Sequence, residues 1–280
     1  MPTDAAAFSP AQLLALLPGV QGLAQQAGAA IMAVYATDFE VQHKGDASPV
    51  TVADERAEVL IVNGLKQLTP HTAVVAEEAF SRSESGAALN SDSTFWLVDP
   101  LDGTREFVAR NGEFTVNIAL VQRGQPVLGV LYAPALKRLF IGVPGQGAWE
   151  LPGEGAVARS PLTGRPVPMA GLTVVASRAY ANDSTLAQWL VDKPIAEQLG
   201  MGSAVKFGVL AAGQADVYPR FGRTMEWDTA AGHAVLRAAG GEVLDLLGQP
   251  LTYGKPGFEN PHFVAVATGK VWSAVAQADS

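Results

Sequence analysis

Apolar and polar residues alternate with a helical period near the start of the chain. Apolar residues recur every three to four positions over residues 10–36, which predicts a helix that Pro18 should break or kink. Thr51 is placed to cap a second helix, and Asp54 would favour its positive end. The predicted apolar face of this second helix is formed by Ala53, Ala57, Leu60, Ile61, Gly64, Leu65 and Leu68.

Two short apolar segments then predict strands that end in acidic residues. Residues 72–76 form the first segment, and Glu77 follows it directly. Trp96-Leu97-Val98 forms the second, and a turn containing Asp99 and Asp102 should end it sharply. Asp and Gly are also ordinary turn residues, so this stretch alone does not distinguish a tight turn from a binding site.

Paired strands are predicted in the middle of the chain. Residues 114–121 and 126–132 predict two strands joined across Arg123-Gly124-Gln125, and residues 139–143 predict a third. Residues 144–168 are rich in Pro and Gly, which predicts turns and a linker. This segment is the best candidate for a domain boundary.

The second half of the chain alternates between predicted strands and helices, which indicates a layered α/β unit. The predicted elements are a strand at 172–177, helices at 183–191 and 203–212, a strand at 215–218, a helix at 228–239, strands at 242–245 and 263–267, and a terminal helix. Two parts are therefore predicted, an α+β part over residues 1–160 and an α/β part over residues 161–280.

The composition excludes several classes of protein. Of the 280 residues, 48% are apolar and 16% are charged, which indicates a folded globular chain. The absence of cysteine excludes disulfides, thiolate metal sites and a cysteine nucleophile. A net charge of −8 disfavours long nucleic acid but allows a small anionic ligand where cations are concentrated locally. No secretory signal or bilayer-spanning run is recognisable, so a cytoplasmic location is expected.

Five acidic residues follow predicted strands or open predicted helices, and together they indicate a metal site: Asp54, Glu77, Asp99, Asp102 and Asp228. Mg²⁺ prefers carboxylate, carbonyl and water oxygens, and it commonly bridges to substrate phosphates. Zinc is disfavoured because the four histidines are isolated in the sequence. A serine hydrolase has no support either, because the Gly-x-Ser-x-Gly motif is absent.

Two segments of the sequence resemble the signatures of one family. Residues 96–104 resemble the first signature of the inositol monophosphatase superfamily of Mg²⁺-dependent, Li⁺-sensitive phosphatases. Residues 227–232 with 238–241 resemble the second signature. Three further segments are similar to the 3'(2'),5'-bisphosphate nucleotidases of the CysQ type: residues 49–54, 105–117 and 218–222. The resemblance covers nearly the whole chain and implies a layered αβαβα sandwich with α+β and α/β parts.

The resemblance implies a role for each matching residue. The implied metal ligands, for two or three Mg²⁺ ions, are Glu77, Asp99, the Leu101 carbonyl, Asp102 and Asp228. Asp54 and Thr104 match the pair that orients and deprotonates the attacking water, and Glu77 counts as catalytic through the ion that activates this water. Substrate contacts are implied or expected from Gly103, Thr104, Ser177, Arg178, Gly202, Ser203, Lys206, Arg220 and Asp228.

The implied reaction is hydrolysis of the 3'-phosphate of adenosine 3',5'-bisphosphate (PAP) to AMP and phosphate. The sulfated precursor PAPS is a second expected substrate, which links the activity to sulfate assimilation. Two alternatives stay open: an enzyme of the same superfamily that acts on inositol monophosphate or another sugar phosphate, and a non-catalytic regulator that binds nucleotide or Mg²⁺. CysQ-type relatives can be peripheral on the cytoplasmic side of the inner membrane, so that position stays open too, as does the oligomeric state.

Overall fold

The computed structural model describes residues 7–43, 45, 49–83, 92–152, 160–178 and 184–276. Their helices and strands form five layers in the order helix, sheet, helix, sheet, helix. The layered αβαβα sandwich that the sequence predicts is thereby confirmed. Within the described residues, no helix has both the length and the apolar character needed to cross a bilayer.

The first layer consists of two long helices, α1 (Pro10–Tyr35) and α2 (Val52–Leu68). Pro18 lies inside α1, which continues as one helix, so the predicted break is wrong. Both helices bury apolar residues against the first sheet. The predicted face of α2 is correct except at Leu60 and Leu68, which are 38% and 39% exposed. A two-stranded ribbon of β1 (Gln42–His43) and β2 (Pro49–Val50) precedes α2.

The second layer is a seven-stranded sheet in which the strands follow one another in sequence order. The first two strands run parallel, and all later neighbours are antiparallel. The strands are β3 (Ala73–Ala76), β4 (Thr94–Asp102), β5 (Thr115–Gln122), β6 (Gln125–Ala133), β7 (Arg138–Val143), β8 (Gly147–Pro152) and β9 (Ser160–Pro161). Short helices α3 (Glu77–Ser83) and α4 (Thr104–Val108) follow β3 and β4.

Strand β4 is buried on both faces, which explains its uninterrupted apolar sequence. Phe95 and Leu97 pack into the core between the two sheets, whereas Trp96 and Val98 pack against α1 and α2. The strand continues past Pro100 to Asp102, so the predicted end of the strand is too early. Its pairing with β5 shifts register between Asp99 and Asp102, and an irregularity of this kind tolerates a proline inside a sheet.

The segment predicted as a linker contains two strands of this sheet. β8 pairs with β7 along its whole length, and β9 pairs with β8. Gly147 has a φ of 119°, so the glycine serves the tight turn between β7 and β8. The Pro- and Gly-rich composition therefore predicted the turn between β7 and β8 correctly, but it did not predict strands β8 and β9. Residues 153–159 lie outside the described part of the chain.

The remaining layers come from the second half of the chain. Helices α6 (Val205–Ala211) and α7 (Glu226–Ala238) lie between the sheets, and α5 (Ser184–Leu190) and α8 (Gly269–Ala276) cover the outer face of the second sheet. This sheet has the order β11-β10-β12-β14-β13, formed by β10 (Leu172–Ala176), β11 (Ile195–Gly200), β12 (Val217–Arg220), β13 (Glu242–Asp245) and β14 (Phe263–Val266). β11 was not predicted because this edge strand is mostly exposed and lacks an apolar alternation.

Helix α7 packs directly on the backbone of the first sheet. A Cβ at Gly129 would lie 2.3 Å from the Ala231 carbonyl oxygen, and one at Gly142 would lie 2.7 Å from the Val235 Cα. Both contacts are with backbone atoms of α7, which cannot move aside as a side chain can. The two glycines therefore set the distance between the helix and the sheet.

The variant Gly129→Ala is expected to lower the free energy of unfolding by about 1–3 kcal/mol, because the added methyl overpacks this contact. Denaturant unfolding measures the change. Gly22→Ala is the matched control, since a Cβ there meets nothing within 4 Å and alanine favours the helix. Equal stability of Gly129→Ala and the wild type would show that Gly129 is not required for the close packing of α7 on the sheet.

Candidate active site

Three aspartates converge between the end of β4 and the start of α7. Asp99 and Asp102 belong to the last part of β4, and Asp228 lies in the first turn of α7. Carboxylate oxygens of the three residues lie within 4.8 Å of one another. Asp99 is only 1% exposed. The structure thus brings Asp228 to two acids, Asp99 and Asp102, that precede it by more than 120 positions in the sequence.

Glu77 joins this cluster through the parallel pairing of β3 and β4. Ala76 pairs with Val98, so the residues that follow them, Glu77 and Asp99, lie next to each other. The Glu77 carboxylate lies close enough to Asp99 for its charge to raise the pKa of Asp99. Parallel strands bring their carboxyl ends to one edge, which is why two separate apolar runs can deliver acids to the same point.

The carboxylates are costly to ionise together. Burial raises the pKa of Asp99 well above its ordinary value, and the charges of Glu77, Asp102 and Asp228 raise it further. Burial also raises the pKa of Asp228 well above its ordinary value, with added repulsion from Asp102 and Glu77. Cations among these oxygens would relieve the repulsion. The donor set consists of oxygen atoms alone, so it fits a hard divalent cation such as Mg²⁺.

Each aspartate of the cluster is held by a backbone N–H group. Leu101 donates to Asp99 Oδ1 at 3.0 Å, and Met225 donates to Asp228 Oδ2 at 2.8 Å. Ala204, just before α6, donates to Asp102 Oδ2. These bonds fix the three side chains before any ligand arrives, which is what a preorganised site requires. The carbonyl of Leu101, the fifth predicted ligand, accepts a hydrogen bond from Thr104 Oγ1 at 3.3 Å.

Asp54 and Thr104 form a second, separate pair. Asp54 Oδ2 accepts hydrogen bonds from Thr51 N at 2.7 Å and from Thr51 Oγ1 at 2.8 Å, as the capping box of α2. Asp54 Oδ1 faces Thr104 Oγ1 at 3.3 Å. Burial raises the pKa of Asp54 to about 6, against the hydrogen bonds from Thr51. The capping role and the pairing with Thr104 therefore coexist in one carboxylate.

A cleft of about 370 Å³ opens beside these groups, a size that suits a small molecule. Among the predicted site residues, those that line it are Glu77, Asp102, Gly103, Thr104, Ser177, Ser203, Lys206, Arg220 and Asp228. Asp54, Asp99 and Leu101 are not among its lining residues but contact those that are. Acidic side chains and the cations Lys206 and Arg220 therefore line the same cleft, and Lys206 lies close enough to Asp102 to interact with its charge.

Two predicted substrate contacts lie in a neighbouring cluster instead of the cleft wall. Arg178 binds Glu113 through two hydrogen bonds, one of them 3.0 Å long from Nε. The backbone N–H of Gly202 donates to the same carboxylate at 2.7 Å. The roles of Arg178 and Gly202 toward a substrate stay predictions, as do those of the other predicted site residues.

Lys206 is the most buried cation of the cleft, with 2% exposure. Its Nζ donates to the carbonyl oxygens of Met201 and Ser203 and lies 4.8 Å from the centroid of the Tyr218 ring. Burial lowers its pKa to about 8, although nearby Asp102 acts against this. An ammonium group so poorly solvated gains from an anionic ligand.

Sequence reasoning missed several residues of the cleft wall. Arg223, Thr224 and Trp227 line it together with the predicted Arg220. Arg223 follows Arg220 by three positions just after β12, so the spacing of two arginines after an apolar strand was an available signal. Trp227 directly precedes Asp228 within the second signature, so its position beside a predicted ligand was an available signal.

The five-layer fold and its buried oxygen-ligand cluster are those of the class of metal-dependent phosphatases. The chain belongs to the inositol monophosphatase family, whose family model matches residues 14–278. It is 44% identical over 254 residues to the Escherichia coli K12 protein named 3'(2'),5'-bisphosphate nucleotidase CysQ, which covers 89% of this chain and 98% of that protein.

Two further relatives support this family membership. The protein of the same name from Salmonella typhimurium is 45% identical over 253 residues, covering 89% of this chain and 98% of the relative. The crystal structure of CysQ from Bacteroides thetaiotaomicron has a TM-score of 0.74 at 38% identity, over 89% of this chain and 96% of that one. The predicted membership of this family is thereby confirmed.

Proposed function

We propose that this protein is a 3'(2'),5'-bisphosphate nucleotidase that hydrolyses the 3'-phosphate of PAP to AMP and phosphate. PAPS is a second substrate under this proposal, which places the activity in sulfate assimilation. The observation that carries the proposal is the cleft itself, whose wall combines a carboxylate cluster with the cations Lys206 and Arg220. A substrate with two phosphates can place one at the acidic cluster and the other among the cations.

The proposed metal is Mg²⁺, bound as two or three ions by Glu77, Asp99, the Leu101 carbonyl, Asp102 and Asp228. When bound, the ions would lower the pKa of the attacking water and neutralise charge on the phosphate. The protein contributes the fixed orientation of the ligands, which the backbone hydrogen bonds to the three aspartates supply.

The proposed proton path runs from water through Thr104 to Asp54. Thr104 Oγ1 accepts the proton of the attacking water and donates its own to Asp54 Oδ1, which lies 3.3 Å away. Thr51 donates two hydrogen bonds to Asp54 Oδ2, so Asp54 Oδ1 is the oxygen available to Thr104. A pKa of about 6 makes Asp54 a better proton acceptor near neutral pH than an ordinary aspartate.

The reacting phosphate is proposed to lie on the backbone amides of Gly103 and Thr104, beside the acidic cluster. Lys206 and Arg220 would bind the second phosphate, and the remaining proposed contacts come from Ser177, Arg178, Gly202 and Ser203. Tyr218 and Trp227 contribute aromatic atoms to the same wall, although both residues are mostly buried.

Phosphate release from PAP is expected to exceed release from inositol 1-phosphate in kcat/KM when both are measured with Mg²⁺. The physical reason is the second phosphate of PAP, which the cations of the cleft can bind and which the inositol ester lacks. AMP is the negative control, since it has no 3'-phosphate. Preference for the inositol ester would favour an inositol monophosphatase, and tight PAP binding without turnover would favour a regulator.

A further inference from the structure

The side chain of Asn117 is buried and makes no hydrogen bond within the described residues. It lies in β5 with 1% exposure, and neither its Nδ2 nor its Oδ1 atom has a hydrogen-bond partner. Buried amides are nearly always paired, because an unpaired one loses its hydration without compensation. The described residues thus leave this amide without the partner that its burial demands.

The position of Asn117 in the sheet aims it at the acidic cluster. It is the direct cross-strand partner of Asp99 in the antiparallel pairing of β4 and β5. Directly opposite residues share one face of a sheet, and their Cβ atoms lie about 4.5–5.5 Å apart. The preceding opposite pairs on this face pack into the core between the two sheets: Leu97 with Ala119, and Phe95 with Val121.

Asp99 and Asn117 therefore continue this inward row to the point where the metal cluster begins. The next opposite pair, Val98 and Ile118, packs against the outer helices and so identifies the other face of the sheet. The amide lies on the same side of the sheet as Asp99. Asp99 is one of the proposed metal ligands.

We infer that Asn117 is a positioning residue for the metal site, whose Nδ2 donates to the Asp99 carboxylate when cations are bound. Ligands of a metal ion are usually oriented by a further hydrogen bond from a neighbouring residue. Leu101 N–H supplies one such bond, to Asp99 Oδ1, and Asn117 supplies the second. This inference rests on the proposed metal site.

The test is the Mg²⁺ affinity of Asn117→Leu, measured by calorimetry without substrate, together with the melting temperature of the metal-free protein. The Kd for Mg²⁺ is expected to rise by about 10–100-fold, as it does when an orienting partner of a metal ligand is removed. The metal-free melting temperature is expected to stay equal or rise, because the variant removes an unpaired buried amide.

Val121→Ala is the matched control, since Val121 lies on the same strand and face, is fully buried and has no polar group. It should lower the melting temperature and leave the Mg²⁺ Kd unchanged. Asn117→Ala is the second variant, which removes the amide without introducing a larger side chain. Mg²⁺ affinity within twofold of the wild type in either folded Asn117 variant would overturn the inference. Failure of the wild type to bind Mg²⁺ would instead remove the metal site itself.

Discussion

Asp99→Asn is expected to lower kcat for PAP hydrolysis by at least about 10³-fold, the scale on which loss of a central electrostatic contact acts. Asp99 is the most buried of the three clustered aspartates, and its carboxylate lies next to Glu77, Asp102 and Asp228. An amide has no net charge and a single oxygen, so it would hold a cation much more weakly than the carboxylate does. Mg²⁺ binding, followed by calorimetry, should weaken in parallel with the loss of turnover.

The same substitution should stabilise the metal-free protein. The raised pKa of Asp99 means that the folded state favours the protonated acid, whereas the unfolded chain ionises near the ordinary value of 3.8. The stability of the metal-free wild type therefore falls as the pH rises from the unfolded to the folded pKa. Asparagine removes this ionisation, so Asp99→Asn should melt at a higher temperature than the wild type at neutral pH with a chelator present.

Asp99→Asn is therefore expected to lower turnover and to raise the stability of the metal-free protein, and this combination makes the prediction specific. A variant that merely damages the fold would lose both stability and turnover. Glu197→Gln is the control, because Glu197 is an exposed acid on the edge strand β11 and should change neither property. Near wild-type turnover in Asp99→Asn would rule out Asp99 as a metal ligand required for catalysis.

The acids of the site could be predicted because each is marked by its immediate surroundings in the sequence. Glu77 and Asp99 each follow an apolar run, and Asp228 opens an apolar helix. Local sequence shows where a strand or helix ends. In a parallel pair of strands the carboxyl ends lie at the same edge, so acids that follow the two strands come close together without further information. The spacing of Asp99 and Asp102 alone was compatible with a tight turn or a metal site. The resemblance to a family then favoured the metal site and implied a role for each acid.

What escaped prediction depends on contacts between distant segments. Asn117 looked like an ordinary strand residue until the register of β4 and β5 placed it opposite Asp99. The bond from Gly202 to Glu113 joins residues 89 positions apart, which no local pattern encodes. β11 escaped because an exposed edge strand needs no apolar alternation.

Thr104→Ala is expected to lower kcat by about 10²–10⁴-fold while leaving Mg²⁺ affinity near the wild-type value, because the lost hydroxyl contributes acid–base help and no metal ligand. Thr104 Oγ1 lies 3.3 Å from both Asp54 Oδ1 and the Leu101 carbonyl oxygen. It has one proton, so it donates to one of them at a time, and donation to Asp54 completes the relay. Steady-state kinetics with PAP and calorimetry with Mg²⁺ measure the two quantities separately.

Thr104→Ser should recover most of the lost rate, because serine keeps the hydroxyl on the same backbone position. Asp54→Asn should resemble Thr104→Ala, and the double variant should be little slower than either single one, since both remove the same relay. Additive losses would mean that the two residues act independently. A rise in KM with an unchanged kcat in Thr104→Ala would show that the hydroxyl only binds substrate, and the proposed proton path would then be wrong.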